Sequence, residues 1–386
     1  MGARTSDNVT TVCLFSPGAL PLIEGIEGRV GGAELDVWQI ATALALDPAF
    51  RPSLATIGDR SQRRTIGGVQ VLAIARYRAN RTRRGHFLRY CFRVIRSLRS
   101  VHADVYLCKG ASLEALLCFV ATRIGSRKPF VFRFQHDWET ARDTLTNRLF
   151  SGRRLLATLF IAALRRADAL VAQTSVQQQA LRRSFGLEST VLYNSHPVMA
   201  DVSLTEKSTV LWIGRAASYK RPEVFLTLAR RLPNHRFVMV ATFDENHSSV
   251  LPSLREQALH LPNLRLIEGA SRNEVELLFR AARVYVLSSE AEGFPNVLVE
   301  ACRSATPVAS LRVDPDGLIR LHEAGFVTDD DVDALARVVE ALLTNDALFQ
   351  RLANNAYSLA RTRLNIETTI DGYKQIFMSG VRRANT

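Results

Sequence analysis

The chain reads as an α/β protein built from two doubly wound domains facing each other. Three features carry that reading. Short apolar, β-branched runs alternate with helical patterns along nearly the whole length. The alternation stops once, near residue 200, and restarts, and 386 residues are enough for two cores of ordinary size. Hydrophobic residues at 47% and charged residues at 23% argue against disorder.

In the first half, strands are expected at Val9–Phe15, Ser53–Ile57, Val69–Ile74, Asp104–Cys108, Phe130–Phe134, Ala169–Ala172 and Thr190–Leu192. A polar segment beginning around Tyr193-Asn-Ser-His-Pro-Val and running to Ser208 then breaks the pattern. Residues 1–195 are therefore read as one domain, 196–207 as a linker and 208–364 as a second domain. The second half repeats the pattern with strands Val210–Ile213, Arg236–Val240, Leu264–Ile267, Ala282–Leu287 and Pro307–Ala309. Helices Pro222–Arg231, Val250–His260 and Arg272–Ala281 separate the earlier ones. Helices Val332–Leu343, Ala347–Thr362 and Ile366–Met378 close the chain, with residues 365–386 expected to pack back on the first domain. Ligands of such open sheets bind at the carboxyl ends of the strands, which predicts an interdomain cleft.

The five cysteines, Cys13, Cys91, Cys108, Cys118 and Cys302, are odd in number and contain no Cys-x-x-Cys pair, the pattern of reduced, buried thiols in a cytosolic protein. The eight histidines lack metal-ligand spacing, so no metal is assigned. Leu155–Leu164, the longest later apolar run, is too short to span a bilayer.

Charge is distributed unevenly. Residues 1–200 carry a net +14 and residues 201–386 a net −1, and between Arg60 and Ala103 there are twelve arginines and no acid. Such a segment points to an anionic partner: a membrane face, a nucleic acid or an acidic polymer. From Phe87 to Val101 the apolar residues Phe87, Cys91, Val94, Ile95, Leu98 and Val101 share one helical face, with Arg89, Arg93, Arg96 and Arg99 beside or opposite it. Together with Arg76, Arg78, Arg81, Arg83 and Arg84 they suggest an anionic membrane surface. Few aromatics stand where bases could stack, which argues against nucleic acid.

Four elements, each just after an expected strand, could carry chemistry. Ser288 to Ala301 sets Glu292 and Glu300 around a helix start at Gly293-Phe-Pro-Asn296, with Pro295 as the first helical residue and the helix running to about Arg303. Its free N–H groups favour phosphate, and Glu300, roughly 7 to 8 Å further along the axis, suits a diol. Gly31-Gly32 opens a helix after the first strand and lets backbone approach a phosphate or sugar, though the pattern is not a dinucleotide or Walker loop. His136-Asp137 offers a histidine to bond a sugar hydroxyl or an aspartate to accept a proton. Trp212-Ile-Gly214-Arg215 followed by Lys220-Arg221-Pro222 places a guanidinium and an ammonium where a diphosphate could sit.

The order of these motifs, strand-Gly-Arg-x4-Lys, then Glu-Gly-Phe-Pro-x4-Glu-Ala, then a Pro-Val strand, resembles glycosyltransferase family 4, retaining sugar transferases of the GT-B fold with two facing Rossmann-like domains. The resemblance implies that Arg215 and Lys220 neutralise the donor diphosphate, Glu300 holds the ribose, Glu292 lies beside the transferred sugar and His136 lines the sugar site. It implies donor contacts from Gly31, Gly32, Gly214, Gly293, Phe294, Pro295 and Asn296. It further implies no cofactor and no metal, a nucleoside diphosphate sugar as co-substrate, and a saccharide or polyprenyl-linked acceptor. The place of work would be the cytoplasm, peripherally at the inner face of the plasma membrane. The chain departs from the family in carrying Ala305 where glycine is usual, and in the loop Asp314-Pro-Asp-Gly317. Asp314-Pro-Asp316 and Asp331-Val-Asp333 read as structural turns and helix starts. Alternative readings are an epimerase or sugar phosphorylase on the same architecture and, from a different class, a nucleic-acid-binding protein.

Overall fold

A computed structural model describes residues 9–25, 32–75, 84–124, 126–150, 154–244 and 247–384. Two compact units emerge: the first takes in Met1–Glu24, Val30–Tyr193 and Ile366–Thr386, the second Gly25–Arg29 and Asn194–Asn365.

The strands of the first unit are β1 (Thr10–Phe15), β2 (Phe50–Gly58), β3 (Gln62–Ile66), β4 (Val69–Ala75), β5 (Val105–Lys109), β6 (Phe130–Arg133), β7 (Ala169–Ala172) and β8 (Thr190–Val191). They lie in the order β3-β4-β2-β1-β5-β6-β7-β8, parallel except for β3 against β4. Strand β3 escapes sequence reading because its residues, Gln-Arg-Arg-Thr-Ile, alternate between half-buried and exposed. Arginines on an edge strand also discourage pairing with a further chain.

Alternation along the central strands feeds two cores. Val12, Leu14, Val105 and Leu107 pack with Val37, Ile40 and Leu44 of the helix Gly32–Ala45, and with Ile370, Tyr373 and Phe377 of the last helix, Ile366–Ala384. Cys13, Phe15, Cys108 and Phe132 face the helices Arg84–Arg99, Leu113–Arg123 and Arg154–Leu164.

The helix Arg84–Arg99 corrects one expectation. Val94 and Leu98 are buried and Cys91, Ile95 and Val101 pack against the same core, as the periodicity expects; Tyr90 joins them, its hydroxyl donating to Glu114 at 2.8 Å, and only Phe87 leaves the face. With Tyr90 in the core position, Phe87 is 41% exposed, and Leu88 (67%) and Phe92 (65%) stand outward beside Arg89, Arg93 and Arg96. Arg76, Arg78, Arg81 and Arg83 lie outside the described residues, and Arg84 is described only as a helix start. Among the described residues, no helix is long and apolar enough to cross a membrane.

The second unit holds β9 (Thr209–Arg215), β10 (Arg236–Thr242), β11 (Leu264–Ile267), β12 (Ala282–Leu287), β13 (Val308–Ser310) and β14 (Gly325–Val327), all parallel, in the order β11-β10-β9-β12-β13-β14. The chain winds from β9 to one edge and returns to β12 on the other side of β9. The carboxyl ends of β9 and β12 therefore form a topological switch point, where open sheets take their ligands. Three-residue β14 was invisible because it has too few positions to show a period.

Candidate functional site

The two strand ends at the switch point are tied together. Trp212 of β9 donates its indole N–H to the Ser288 hydroxyl at 2.9 Å, and that hydroxyl donates to the Lys220 carbonyl at 2.7 Å. The Glu290 N–H donates to the Tyr219 carbonyl at 2.8 Å. Gly214 is glycine for want of room, since a Cβ there would meet the Trp212 ring at 2.9 Å. Arg221 sits in the left-handed region (φ 48°), unusual for a residue before proline, and turns the chain sharply from Lys220 into the helix Pro222–Arg231.

Each cation assigned to the diphosphate faces a carboxylate. Arg215 Nη1 lies 3.2 Å from Asp244 Oδ2, and its other terminal nitrogen donates to the Tyr219 hydroxyl. Lys220 pairs with Glu292, which also accepts from the Ser289 hydroxyl at 2.7 Å. The Tyr219 ring serves both cations, 5.8 Å from the Arg215 guanidinium carbon and 5.5 Å from Lys220 Nζ. Burial raises the Tyr219 phenol above its ordinary range, against the Arg215 charge.

Gly293 and Phe294 lead into the helix Asn296–Arg303. Pro295 is its cap in extended conformation rather than its first residue, and no side chain caps the first turn. The first-turn N–H groups at such an end, with the macrodipole, favour an anion. Asn194 donates to the Phe294 carbonyl at 3.0 Å and fixes the approach. One turn into the helix, Glu300 is 5% exposed and pairs with Arg272, the first residue of the helix Arg272–Ala281. Behind it lies His196, its side chain wholly buried, with Nε2 3.2 Å from Asn296 Oδ1 and Nδ1 3.9 Å from Glu300 Oε1 without a hydrogen-bond partner. Burial pushes the His196 imidazole down to about 4, so the ring is neutral near pH 7.

At the other end of that helix the departure at Ala305 has a visible consequence. Ala305 takes φ 49°, the left-handed conformation that favours glycine, while its side chain packs with Phe349 and Ala353. The two Asp-x-Asp segments serve as local caps: Asp314 accepts from the Ile319 N–H and Asp331 from the Ala334 N–H, both at 2.8 Å.

Thus Gly214, Arg215, Lys220, Glu292, Gly293, Phe294, Pro295, Asn296 and Glu300 gather around one switch point. Gly32 and His136 belong to the first unit, and Gly31 lies outside the described residues. Gly32 begins its helix, and His136 follows β6, stacked on Trp138 with ring centroids 5.6 Å apart. Asp137 accepts from Gln177 at 2.9 Å. Sequence reading missed Tyr219, Asp244, Arg272, His196 and Asn194. Asp244 and Arg272 could have been found by position, since each follows a strand; His196 sat in a segment taken for linker.

Residues 200–359 match the family described as Glycosyl transferases group 1. An uncharacterized glycosyltransferase of Haemophilus influenzae is 23% identical over 59% of this chain and 66% of that protein, so the chain spans just under two thirds of that relative's length. A Campylobacter jejuni enzyme is 25% identical over 69% of this chain and 72% of its own. Its name is GalNAc-alpha-(1->4)-GalNAc-alpha-(1->3)-diNAcBac-PP-undecaprenol alpha-1,4-N-acetyl-D-galactosaminyltransferase. Among solved structures, sucrose-phosphate synthase of Thermosynechococcus elongatus superposes with a TM-score of 0.76, at 16% identity, over 96% of this chain and 98% of that one. The fold is GT-B, and residues 200–359 are similar to the group 1 glycosyl transferases.

Proposed function

We propose that this protein is a retaining glycosyltransferase of family 4 that moves a hexose-like sugar from a nucleoside diphosphate sugar to a saccharide or lipid-linked acceptor. The observation that carries this reading is the pair Arg215 and Lys220 sharing the Tyr219 ring beside the uncapped start of the helix Asn296–Arg303, with Glu292 and Glu300 within the same set. Those cations and N–H groups would stabilise the charge developing on the leaving diphosphate, which is the work a metal does in other transferases. Glu300 would accept from the ribose diol and Glu292 from the sugar. A donor phosphate oxygen would take the proton of the incoming hydroxyl on the same face, so that the bond to the anomeric carbon forms where the old one breaks. His136 of the first unit would bond a sugar hydroxyl. The acceptor class rests on the lipid-linked substrate in the name of the Campylobacter relative.

A panel of nucleoside diphosphate sugars tests the reading by thermal stabilisation. Saturation near a hundredfold excess over Kd stabilises the folded state by about 2.7 kcal/mol. Arg215→Ala and Glu300→Ala should abolish the shift given by the best donor, and unchanged shifts in both would refute the assignment.

The same reading places the enzyme in the cytoplasm, peripherally on the inner face of the plasma membrane through its arginine-rich segment. Support comes from the exposed Leu88 and Phe92, one turn apart on the helix Arg84–Arg99 and flanked by Arg89, Arg93 and Arg96. Retention on anionic vesicles should exceed retention on neutral ones and fall with salt. Equal retention on both would remove the membrane from the proposal.

A further inference from the structure

We propose that Asp244 and Tyr219 are positioning residues for Arg215, and that they set the cation pair Arg215 and Lys220 for a diphosphate in preference to a single phosphate. The inference rests on the assignment of Arg215 to the donor diphosphate, and goes beyond it by naming what makes that arginine selective.

Arg215 is the last residue of β9, and its side chain is 53% exposed. A long side chain so placed has many rotamers, and ordering it on binding carries an entropic cost. Here the rotamer is already chosen. Asp244, whose side chain is only 5% exposed, holds Nη1 at 3.2 Å, and the Tyr219 hydroxyl accepts from the other terminal nitrogen. The Tyr219 hydrogen bond takes one of the five N–H donors of the guanidinium, and the ion pair with Asp244 fixes the direction of the group that carries the rest.

Tyr219 is itself held. Its carbonyl accepts from the Glu290 N–H at 2.8 Å, and its ring meets His247 edge-on at 5.8 Å. The adjacent Ser218 hydroxyl lies 3.2 Å from His247 Nδ1. With its backbone tied to Glu290 and its ring against His247, Tyr219 offers both cations a common contact, at 5.8 and 5.5 Å, that favours one separation between them. Two like charges kept apart at a set distance also need counter-charges; Asp244 supplies one at Arg215 and Glu292 one at Lys220. A ligand with two linked phosphates can meet both cations at once, whereas a monophosphate meets one and gains nothing from their spacing.

The test compares the nucleoside diphosphate that binds best with its monophosphate. In the parent the diphosphate should bind at least about tenfold more tightly. Asp244→Asn should lower diphosphate affinity about tenfold while monophosphate affinity stays within about twofold; Tyr219→Phe, which keeps the ring and loses the hydroxyl, should lower it about threefold. The kcat/KM for the donor sugar should fall at least as far as diphosphate affinity, and Asp244→Glu should recover part of the loss. Retained monophosphate binding shows that the variants are folded. If Arg215→Ala erases the preference and Asp244→Asn does not, positioning by Asp244 is refuted while the site assignment stands. If Asp244→Asn binds the diphosphate more tightly, Asp244 is a competitor of the ligand and the proposal falls. A parent with no preference for the diphosphate overturns the reading of the site itself.

Discussion

Both units place basic residues at the carboxyl ends of their central strands, and they use them in opposite ways. In the first unit Lys109 ends β5 and Arg133 ends β6, and both point at Asp36 of the helix Gly32–Ala45, at 2.6 and 2.9 Å. All three side chains are at most 2% exposed, and Arg133 also donates to the Leu192 carbonyl at 3.0 Å and lies over the Tyr373 ring. Burial favours the neutral Asp36, but Arg133 and Lys109 outweigh it and hold the carboxyl below its ordinary range. In the second unit Arg215, which ends β9, is 53% exposed against the buried Asp244, and Arg272, which opens a helix beyond the edge strand β11, is 38% exposed against the buried Glu300. A strand-end cation enclosed on every side is part of the frame; one that keeps a face to solvent can exchange its partner for a ligand.

The largest expected effect separates these two uses. Asp36→Ala leaves two buried cations without their carboxylate and should lower unfolding free energy by about 3–5 kcal/mol in urea titration. Glu300→Ala breaks a pair whose cation reaches solvent, and should change stability by about 1 kcal/mol or less while removing donor binding. If Glu300→Ala destabilises as much as Asp36→Ala, the contrast between frame and site disappears.

What the sequence could show follows from the same distinction. The central strands were legible because residues buried on both sheet faces leave unbroken apolar runs, as in Val12-Cys-Leu-Phe15 and Val284-Tyr-Val-Leu287. Strand β3 was not, because an edge strand need bury nothing on one side. The carboxylates Glu292 and Glu300 were legible because their spacing around a helix start has a local physical meaning. Asp36 was not singled out, since nothing local distinguishes a helix-face aspartate from one that reaches Arg133, 97 residues away. His196 was hidden for the same reason: its neighbours Asn296 and Glu300 come together only in the fold. Tyr90 was legible and overlooked, since it stands four residues before Val94 and eight before Leu98, both buried.

A smaller effect sharpens the account of the first unit. Glu139, 1% exposed, accepts from the Ala111 N–H at 3.1 Å and the Gln135 N–H at 2.8 Å, and so joins the loops that follow β5 and β6, next to His136. Burial pushes its carboxyl from 4.5 up to about 7, although those N–H groups and the Lys109 charge favour the ion. Between pH 4.5 and 7 the folded chain therefore holds a proton that the unfolded chain has released. The contribution to stability is fully present below 4.5 and is lost as pH rises to about 7, by up to about 3 kcal/mol. Gln cannot titrate, so the stability of the parent minus that of Glu139→Gln should decline across this interval in urea titrations. A difference that is flat from pH 4.5 to 7 would mean that Glu139 is ionised throughout. The tie between the two loops would then be a fixed charge like Asp36.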